Sequence, residues 1–533
     1  MSERSANIKA ATIINEESGP SLRSWLAQLE AAGQLHRIKA QVDWNQEIGA
    51  ISRVNVSQKG PGLLFENIKD HQDTFCRKFL TCALSNREQL ALLLGLPTDT
   101  SSKDITSHLR RVFRKPIDPH VVDSGPVKQN IRMGDDIDLY QVPAPRWHHL
   151  DGGRYIETFA AVVTKDPDTG KPNVGIYRGM LLDQDKIGKL IIKTQGWGQH
   201  FIKRGLKPEP MPVAIIYGWH DVLPFCAASC FTRNVSEWDM MGAVLGESVE
   251  LVKCETVDLE VPASAELVVE GFIDPDPATF EPEGPFAEYP GYSGGQPSPK
   301  PVVKVSCIPH RDDPIVRGAL EGARPGFPSE DVATFSHSWP AIACNYLDDV
   351  GVTGVLDAWV PLVTSGTHIY VQIQKNYRGH AQQVASALWG WSISQFAFKH
   401  VWVVEEDIDI RDPEAMEWAV AYRVNAGEGG ITTFGPTFGS PLDPSTPAHL
   451  NNPAKYGSGK WTRVLIDATR NWEFEPNERF GGNRYPPVAK LPIKLEQQVK
   501  NRWSEYGIPK PYLTDEKRER LTFAELSKRL KEL

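Results

Sequence analysis

Phe159-Ala160-Ala161-Val162-Val163-Thr164, followed after a polar break by Val174-Gly175-Ile176-Tyr177-Arg178-Gly179-Met180-Leu181-Leu182, sets the character of the middle of the chain. Both runs are apolar and rich in β-branched residues, and turn residues bound them, which predicts strands. The same texture recurs in Leu190 to Lys193, Val213 to Tyr217, Leu251 to Val261, Leu267 to Phe272 and Val302 to Ile308. Serial strands split by Gly/Pro turns, with one helical stretch near Glu237 to Leu251, predict a barrel or sandwich between about Leu139 and Asp313.

Toward the N-terminus the pattern changes. Leu22, Trp25, Leu26 and Leu29 recur at helical spacing and Gly33 marks the end, so an amphipathic helix begins the fold. An apolar run at Leu63-Leu64-Phe65, a second helical pattern from Glu88 to Leu94, and a linker around Pro116 and Pro119 follow, with a boundary near residue 125. Beyond about Pro325, strands at Ile369 to Gln374 and Val401 to Val404 alternate with helices at Ala381 to Trp389 and Pro413 to Val424, the latter capped by Asp412. That alternation predicts βαβ units and a mainly parallel sheet. Thr522 with Glu525 three residues later forms a capping-box pattern that predicts a terminal helix.

These patterns give an α+β or α/β multidomain chain: an N-terminal α/β domain (1–125), a central β domain (126–325), a C-terminal α/β domain (326–500) and a tail helix (501–533). A length of 533 residues exceeds what one core usually supports. A net charge of −9 without any Lys/Arg block gives no footing for a nucleic-acid partner. The N-terminal residues lack a secretory pattern and no apolar run of about eighteen residues occurs, which predicts a soluble, cytoplasmic protein without a membrane partner. Seven scattered cysteines with no C-x-x-C pair predict reduced, packed thiols; Cys226 and Cys230 are the one pair that could share a helix face.

Walker, G-x-G-x-x-G, G-x-S-x-G and H-E-x-x-H motifs are all missing, which leaves four polar segments as candidates for chemistry. In Glu283-Gly284-Pro285-Phe286-Ala287-Glu288 two acids flank a Gly-Pro turn. They are either a pair held in one site, with pKa values pushed apart, or a solvated turn. In Asn173-Val174-Gly175-Ile176-Tyr177-Arg178, an inward Arg would offer a fork to a carboxylate and Asn a neutral oxygen to a metal. On a continuous strand, however, residues five apart face opposite sides. His200, in Gly196-Trp197-Gly198-Gln199-His200-Phe201, is a metal ligand or a hydrogen-bonded turn histidine. Glu237 sits where a helix begins, as a ligand or as an acid at the positive end of the helix dipole.

Taken together and in order, these segments resemble the UbiD family over most of the chain. The family's E-G-P-[FY]-[GA]-E signature appears as EGPFAE, with Ala287 where glycine is commoner. The resemblance implies a central split β-barrel that binds prenylated FMN, and a Glu-Arg-Glu triad at Arg178, Glu283 and Glu288. It further implies a divalent ion, manganese before magnesium or iron(II), held by Asn173, His200 and Glu237, with potassium nearby. Gln199, the backbone near Ser229, and Lys399 resemble further cofactor contacts. By the same resemblance Arg178 orients the substrate carboxylate, Glu283 keeps Arg178 aimed, and Glu288 donates the proton in a reversible non-oxidative decarboxylation.

The implied substrate is an aromatic or α,β-unsaturated acid, as a free acid or an aromatic acyl-CoA bearing a carboxylate. The segment Ser329 to Ser338 and a loop from Ile431 to Leu442 would shape its pocket, with Phe434 and Phe438 suited to a flat ring. A flavin prenyltransferase as cofactor supplier and a homodimer or homohexamer are implied too. Two other readings stand beside this one: a split-barrel flavin oxidoreductase, which would not need the EGPFAE acids, and a non-catalytic partner subunit of a decarboxylase.

Overall fold

The computed structural model describes residues 19–509 apart from 208, 232–234, 295, 323, 325–327 and 490–491. The expected tail helix at Thr522 and the first eighteen residues lie outside the described residues.

Helix α1 (Leu22–Ala31) starts where the Ser21 side chain accepts from Ser24 N, and it buries Leu22, Trp25, Leu26 and Leu29, the four residues whose spacing predicts it. After it come β1 (Leu35–Ile38), α2 (Glu47–Ser57), β2 (Gly62–Phe65), β3 (Lys78–Thr81), α3 (Arg87–Leu93) and α4 (Ser102–Val112).

The central segment contributes β4 (His120–Val121), β5 (Asn130–Arg132), β6 (Tyr155–Glu157), β7 (Ala161–Lys165), β8 (Pro172–Ile176), β9 (Gly179–Asp183) and β10 (Lys186–Lys189). Helix α5 (Gly196–Leu206), β11 (Met211–Ile216), α6 (Val222–Ala227) and α7 (Glu237–Leu245) follow. It finishes with β12 (Glu250–Lys253), β13 (Glu260–Pro262), β14 (Val268–Ile273), β15 (Glu281–Glu283), β16 (Ser298–Lys300), β17 (Val302–His310) and β18 (Ile315–Arg317).

Nine of these strands form one antiparallel sheet in the order β6-β9-β10-β17-β14-β11-β7-β8, with β5 also on β17. Strand β8 is at one end of that order and β9 is next to the other, yet only Tyr177 and Arg178 separate them in the chain. A two-residue link can join the two sides only if the sheet curls back on itself, which makes it a half-barrel open on one side. Arg178 therefore sits at the mouth of the curl. The short strand β18 leaves this region and adds to the N-terminal sheet β1-β2-β3-β18, with Val316 opposite Phe79.

The C-terminal segment has α8 (Glu330–Asp349), β19 (Val355–Trp359), β20 (His368–Ile373), α9 (His380–Gly390), β21 (His400–Glu405), α10 (Pro413–Arg423), β22 (Ile431–Gly439) and β23 (Gly459–Asp467). Its sheet runs β19-β20-β21-β23-β22. The three inner strands are parallel and the edges β19 and β22 are antiparallel, so the expected mainly parallel sheet is a mixed one.

Buried Arg317 ties the three segments together. Its Nε and Nη2 donate to the Asp221 carboxylate at 2.9 Å each, and its Nη1 donates to Glu330 Oε2 at 3.2 Å. Glu330 also accepts from the backbone N–H groups of Cys82 and Leu84, each at 2.7 Å. A charge node this deep requires every partner, because removing one leaves the others buried and uncompensated. It fixes the first turn of α8 against both other segments.

Several expected elements are corrected by the structure. The run Val174 to Leu182 is two strands rather than one, because the chain reverses at Tyr177-Arg178; Gly179 permits this, since a Cβ there would lie 2.5 Å from the Glu157 carboxylate. Leu190 to Lys193 is not a strand: the chain leaves the sheet after Lys189, and α5 packs onto it through Gly198, whose Cβ would meet Ile192 O at 2.1 Å. Leu251 to Val261 is a hairpin of β12 and β13, since Cys254 N donates to Leu259 O and closes a turn. Ile431 to Gly439 is an edge strand instead of a loop; a register shift between Phe434 and Thr437, around Gly435-Pro436, interrupts the alternation that would reveal it. The cysteines are free, as the spacing predicts.

Candidate active site

One cavity of about 440 Å³ lies where the curled sheet, α5 to α7, and the C-terminal segment meet. That is within the range that holds a cofactor or drug-sized ligand. Tyr289, whose hydroxyl donates to Ser440 Oγ at 2.7 Å, closes it between the central and C-terminal segments.

At one wall stands Arg178. Its Nη2 donates to Glu283 Oε2 at 2.8 Å and its Nη1 donates to Glu288 Oε1. Glu283 ends β15 and is fully buried; Arg178 and Glu288 keep 14% and 13% of their side-chain surface, enough to reach the cavity. The intervening turn is compact because Gly284 takes φ of 98°, and because Gly152 lets the Gly284 carbonyl come where a Cβ would be 2.0 Å away. Behind it, Tyr155 OH donates to Glu283 Oε1 at 3.0 Å, and the Phe286 ring lies 5.6 Å from the guanidinium.

Burial works against charge on Arg178, but the two glutamates outweigh it and hold the guanidinium protonated. For Glu288 the balance runs the other way: burial raises its pKa above the usual carboxylate range, and Arg178 only partly offsets this. A carboxyl whose pKa burial raises, beside a fixed guanidinium, is equipped for general acid chemistry.

Asn173, Gln199, His200 and Glu237 line the same cavity. Asn173 lies on β8, His200 on α5 and Glu237 at the first turn of α7, whose N-cap Ser236 accepts from Trp238 N. His200 is thus a helical residue, not a turn histidine. Its Nδ1 is 2.8 Å from Thr164 Oγ1, leaving Nε2 as the free ring nitrogen, and burial pushes its pKa down to about 4. The imidazole is neutral at physiological pH, as a ligand must be. Glu237 accepts from Val174 N at 3.1 Å, and burial lifts its pKa to about 7. No cation of the described protein sets off its charge in that environment. Two oxygen-bearing side chains and one imidazole form a donor set that suits a hard divalent ion.

Asn173 and Arg178 face one cavity although they stand five positions apart, because β8 ends at Ile176 and the opposite-face rule for a continuous strand no longer applies.

The chain matches the UbiD family in three successive segments, described as the N-terminal, Rift-related and C-terminal domains of 3-octaprenyl-4-hydroxybenzoate carboxy-lyase, at residues 26–109, 120–324 and 335–468. The phenolic acid decarboxylase of Sedimentibacter hydroxybenzoicus is 32% identical over 90% of this chain and 98% of its own. The chain belongs to the UbiD family of carboxy-lyases.

Solved UbiD structures agree. The vanillic acid decarboxylase of S. hydroxybenzoicus in closed form superposes with a TM-score of 0.82 at 30% identity, over 92% of this chain and all of that one. The UbiD-class enzyme HmfF of Pelotomaculum thermopropionicum, in complex with FMN, gives 0.73 at 30% identity, over 91% of this chain and all of that one.

Within this UbiD fold the side chains of Lys399, Ser229, Phe434 and Phe438 are not part of the cavity lining. Lys399 pairs with Asp443 at 2.8 Å and Ser445 at 2.6 Å. Ser229 is buried, its hydroxyl donating to Phe225 O at 2.6 Å, while its neighbours Ala228 and Cys230 line the cavity. Phe434 and Phe438 on β22 are surface residues, 52% and 38% exposed, and Phe434 stacks on Trp389.

The aromatic lining includes Phe286, Phe335, Trp339 and Phe396 instead. Helix α8, which carries Phe335 and Trp339, begins within the expected pocket segment Ser329 to Ser338 and runs past it to Asp349; it is buried on nearly every side and so shows no amphipathic period by which to recognise it. Glu321 and Asp331 also line the cavity, and nothing in their local sequence distinguishes them from other acids. Among the described residues no helix is long and apolar enough to cross a membrane.

Proposed function

We propose that this UbiD carboxy-lyase removes CO2, reversibly, from an aromatic or α,β-unsaturated acid, using prenylated FMN together with a divalent ion. The observation that carries the reading is that Arg178 meets both Glu283 and Glu288 on a wall of the cavity that Asn173, His200 and Glu237 also line. The names of the relatives, a phenolic acid decarboxylase and a vanillic acid decarboxylase, favour an aromatic acid.

The residues present fit such a cofactor. Glu237 is a largely buried carboxylate awaiting a cation, and His200 keeps a neutral nitrogen for one. Asn173, His200 and Glu237 would hold manganese, magnesium or iron(II), with potassium nearby, and Gln199 would contact the cofactor. When bound, the modified flavin supplies the electron sink that loss of CO2 from an sp2 carbon demands.

The chain's own residues do the rest. Arg178 takes the substrate carboxylate in its planar fork and is kept aimed by Glu283, itself held by Tyr155. Phe335, Trp339 and Phe396 exclude water and flank a flat ring. Glu288 gives its proton from the carboxyl oxygen to the carbon that has lost CO2, and regains it from solvent between turnovers. A flavin prenyltransferase would supply the cofactor in the cytoplasm, and the C-terminal segment would carry a homodimer or homohexamer contact.

Co-expression with a flavin prenyltransferase, mass spectrometry of the bound cofactor and a screen of aromatic and cinnamate-like acids for CO2 release test this reading. Retention of prenylated FMN with CO2 release is expected. A chain that holds no flavin, or holds it and only transfers hydride, would refute it.

A further inference from the structure

Arg178 has a second pair of charges beneath it. Lys189, at the end of β10, and Glu157, at the end of β6, form an ion pair in the interior of the curled sheet, and neither side chain keeps any exposed surface. Burial opposes charge on both, raising the pKa of Glu157 and lowering that of Lys189, and each partner is the chief offset for the other. Tyr217, just after β11, completes the node, its hydroxyl donating to Glu157 Oε1 at 3.1 Å.

The node meets the chain on either side of Arg178. Lys189 Nζ donates to Tyr177 O at 3.0 Å, a carbonyl that belongs to the two-residue link and therefore to no strand ladder. On the other side Glu157 stands opposite Gly179 in the β6–β9 register, and its carboxylate occupies the room that a Cβ would need, 2.5 Å away. The Tyr177 ring is fixed as well: it stacks on Trp197 with centroids 4.3 Å apart and planes at 10°, and Lys189 Nζ lies 5.3 Å from the same indole. A buried ion pair contributes little net stability, since apolar side chains of the same volume often replace one without loss. What apolar side chains cannot do is bind the Tyr177 carbonyl.

We propose that Lys189 and Glu157, backed by Tyr217, are positioning residues for the reaction: they grip the backbone before and after Arg178 and so set the direction in which its guanidinium meets the substrate carboxylate. The inference rests on the reading of Arg178 as the carboxylate fork. Glu283 and Glu288 orient the guanidinium from its tip, and the buried node orients it from its root.

The test compares cofactor-loaded wild type with a triple variant, Glu157→Leu, Lys189→Met and Tyr217→Phe, which exchanges the node for apolar side chains of similar volume. Calorimetry gives the affinities of benzoate and cinnamate, and of benzamide and cinnamamide, which fill the same space without a carboxylate. Wild type is expected to bind at least one acid about tenfold or more tighter than its amide, the difference that charge-assisted hydrogen bonds to a guanidinium make. In the triple variant that ratio is expected to fall to within about threefold of unity, with amide affinity and flavin occupancy unchanged. Damaged packing alone would weaken acid and amide alike, so the ratio separates aim from structure. Should the triple variant not fold, Tyr217→Phe alone, which removes one hydroxyl, carries the test with an expected fall of about threefold in the ratio. A ratio that stays at the wild-type value in the variant tested, including through an equal loss of acid and amide, overturns this inference alone. Wild type that binds acid and amide equally, or binds neither acid, overturns the reading of Arg178 on which it rests.

Discussion

At one end of the cavity Arg178 is clasped between Glu283 and Glu288, whereas at the other Glu237 lies largely buried with a backbone N–H as its donor and, among the described residues, no cation beside it. The first end is complete without a ligand; its charges compensate one another, and Tyr155 locks the arrangement from behind. The second is incomplete, and its strain appears as a carboxyl lifted to about 7 and an imidazole pushed down to about 4. The difference teaches that pairing preserves geometry in the absence of a ligand, while burial without pairing marks the place a ligand must fill.

Breaking the complete end should have the largest effect. Arg178→Met leaves Glu283 buried without its cation and should cost about 3–5 kcal/mol in urea unfolding. Turnover should also fall by about a hundredfold or more, from loss of the carboxylate fork. Stability within about 1 kcal/mol of wild type would show that the glutamates do not depend on the guanidinium.

The incomplete end should respond in the opposite sense. The folded pKa of Glu237, about 7, lies above its unfolded value of 4.5, so the stabilisation of its protonated form is whole below 4.5 and is lost as pH rises through 7. Without metal, Glu237→Gln should therefore become more stable relative to wild type over that window, by up to about 3 kcal/mol above pH 7. Manganese at a hundred times its Kd should stabilise the wild type by about 2.7 kcal/mol and leave the variant nearly unmoved. Equal manganese shifts in both proteins would remove Glu237 from the ligand set.

A smaller effect sharpens the comparison within the complete end. Tyr155→Phe removes one donor to Glu283 and should cost about 1–2 kcal/mol, with a several-fold rise in KM as Arg178 loses its aim. Smallest of all near neutral pH is the proton itself. Because burial raises the pKa of Glu288, kcat should hold through the ordinary carboxylate range and fall about tenfold per pH unit only above its raised value. A kcat that declines as soon as pH passes the ordinary carboxylate range would contradict a buried acid.

Much of this molecule was legible in its sequence for a physical reason. Half-buried elements carry a period, and so α1, α9, α10 and most strands of the central sheet stand where the apolar spacing predicts them. Elements without a period escape. Helix α8 is buried all round and contains Pro340, and β22 is an edge strand broken by Gly435-Pro436. The site followed the same division. The residues of EGPFAE are adjacent in the chain, so their meeting is local, but their meeting with Arg178 depends on the two-residue link between β8 and β9 and on the curl of a nine-stranded sheet. Glu321 and Asp331 come to one cavity only in the folded chain, and neither residue announces this in its neighbours.

Solvent deuterium incorporation, with cofactor-loaded wild type and Glu288→Gln run side by side on an accepted acid, tests the central claim most directly. Wild type should place one deuterium on the carbon that lost CO2, while the variant, with cofactor and metal still bound by mass and absorption, should lose about a hundredfold or more of that product. Deuterated product formed by Glu288→Gln at the wild-type rate would show that the proton comes from elsewhere and that Arg178, Glu283 and Glu288 are joined for some other purpose.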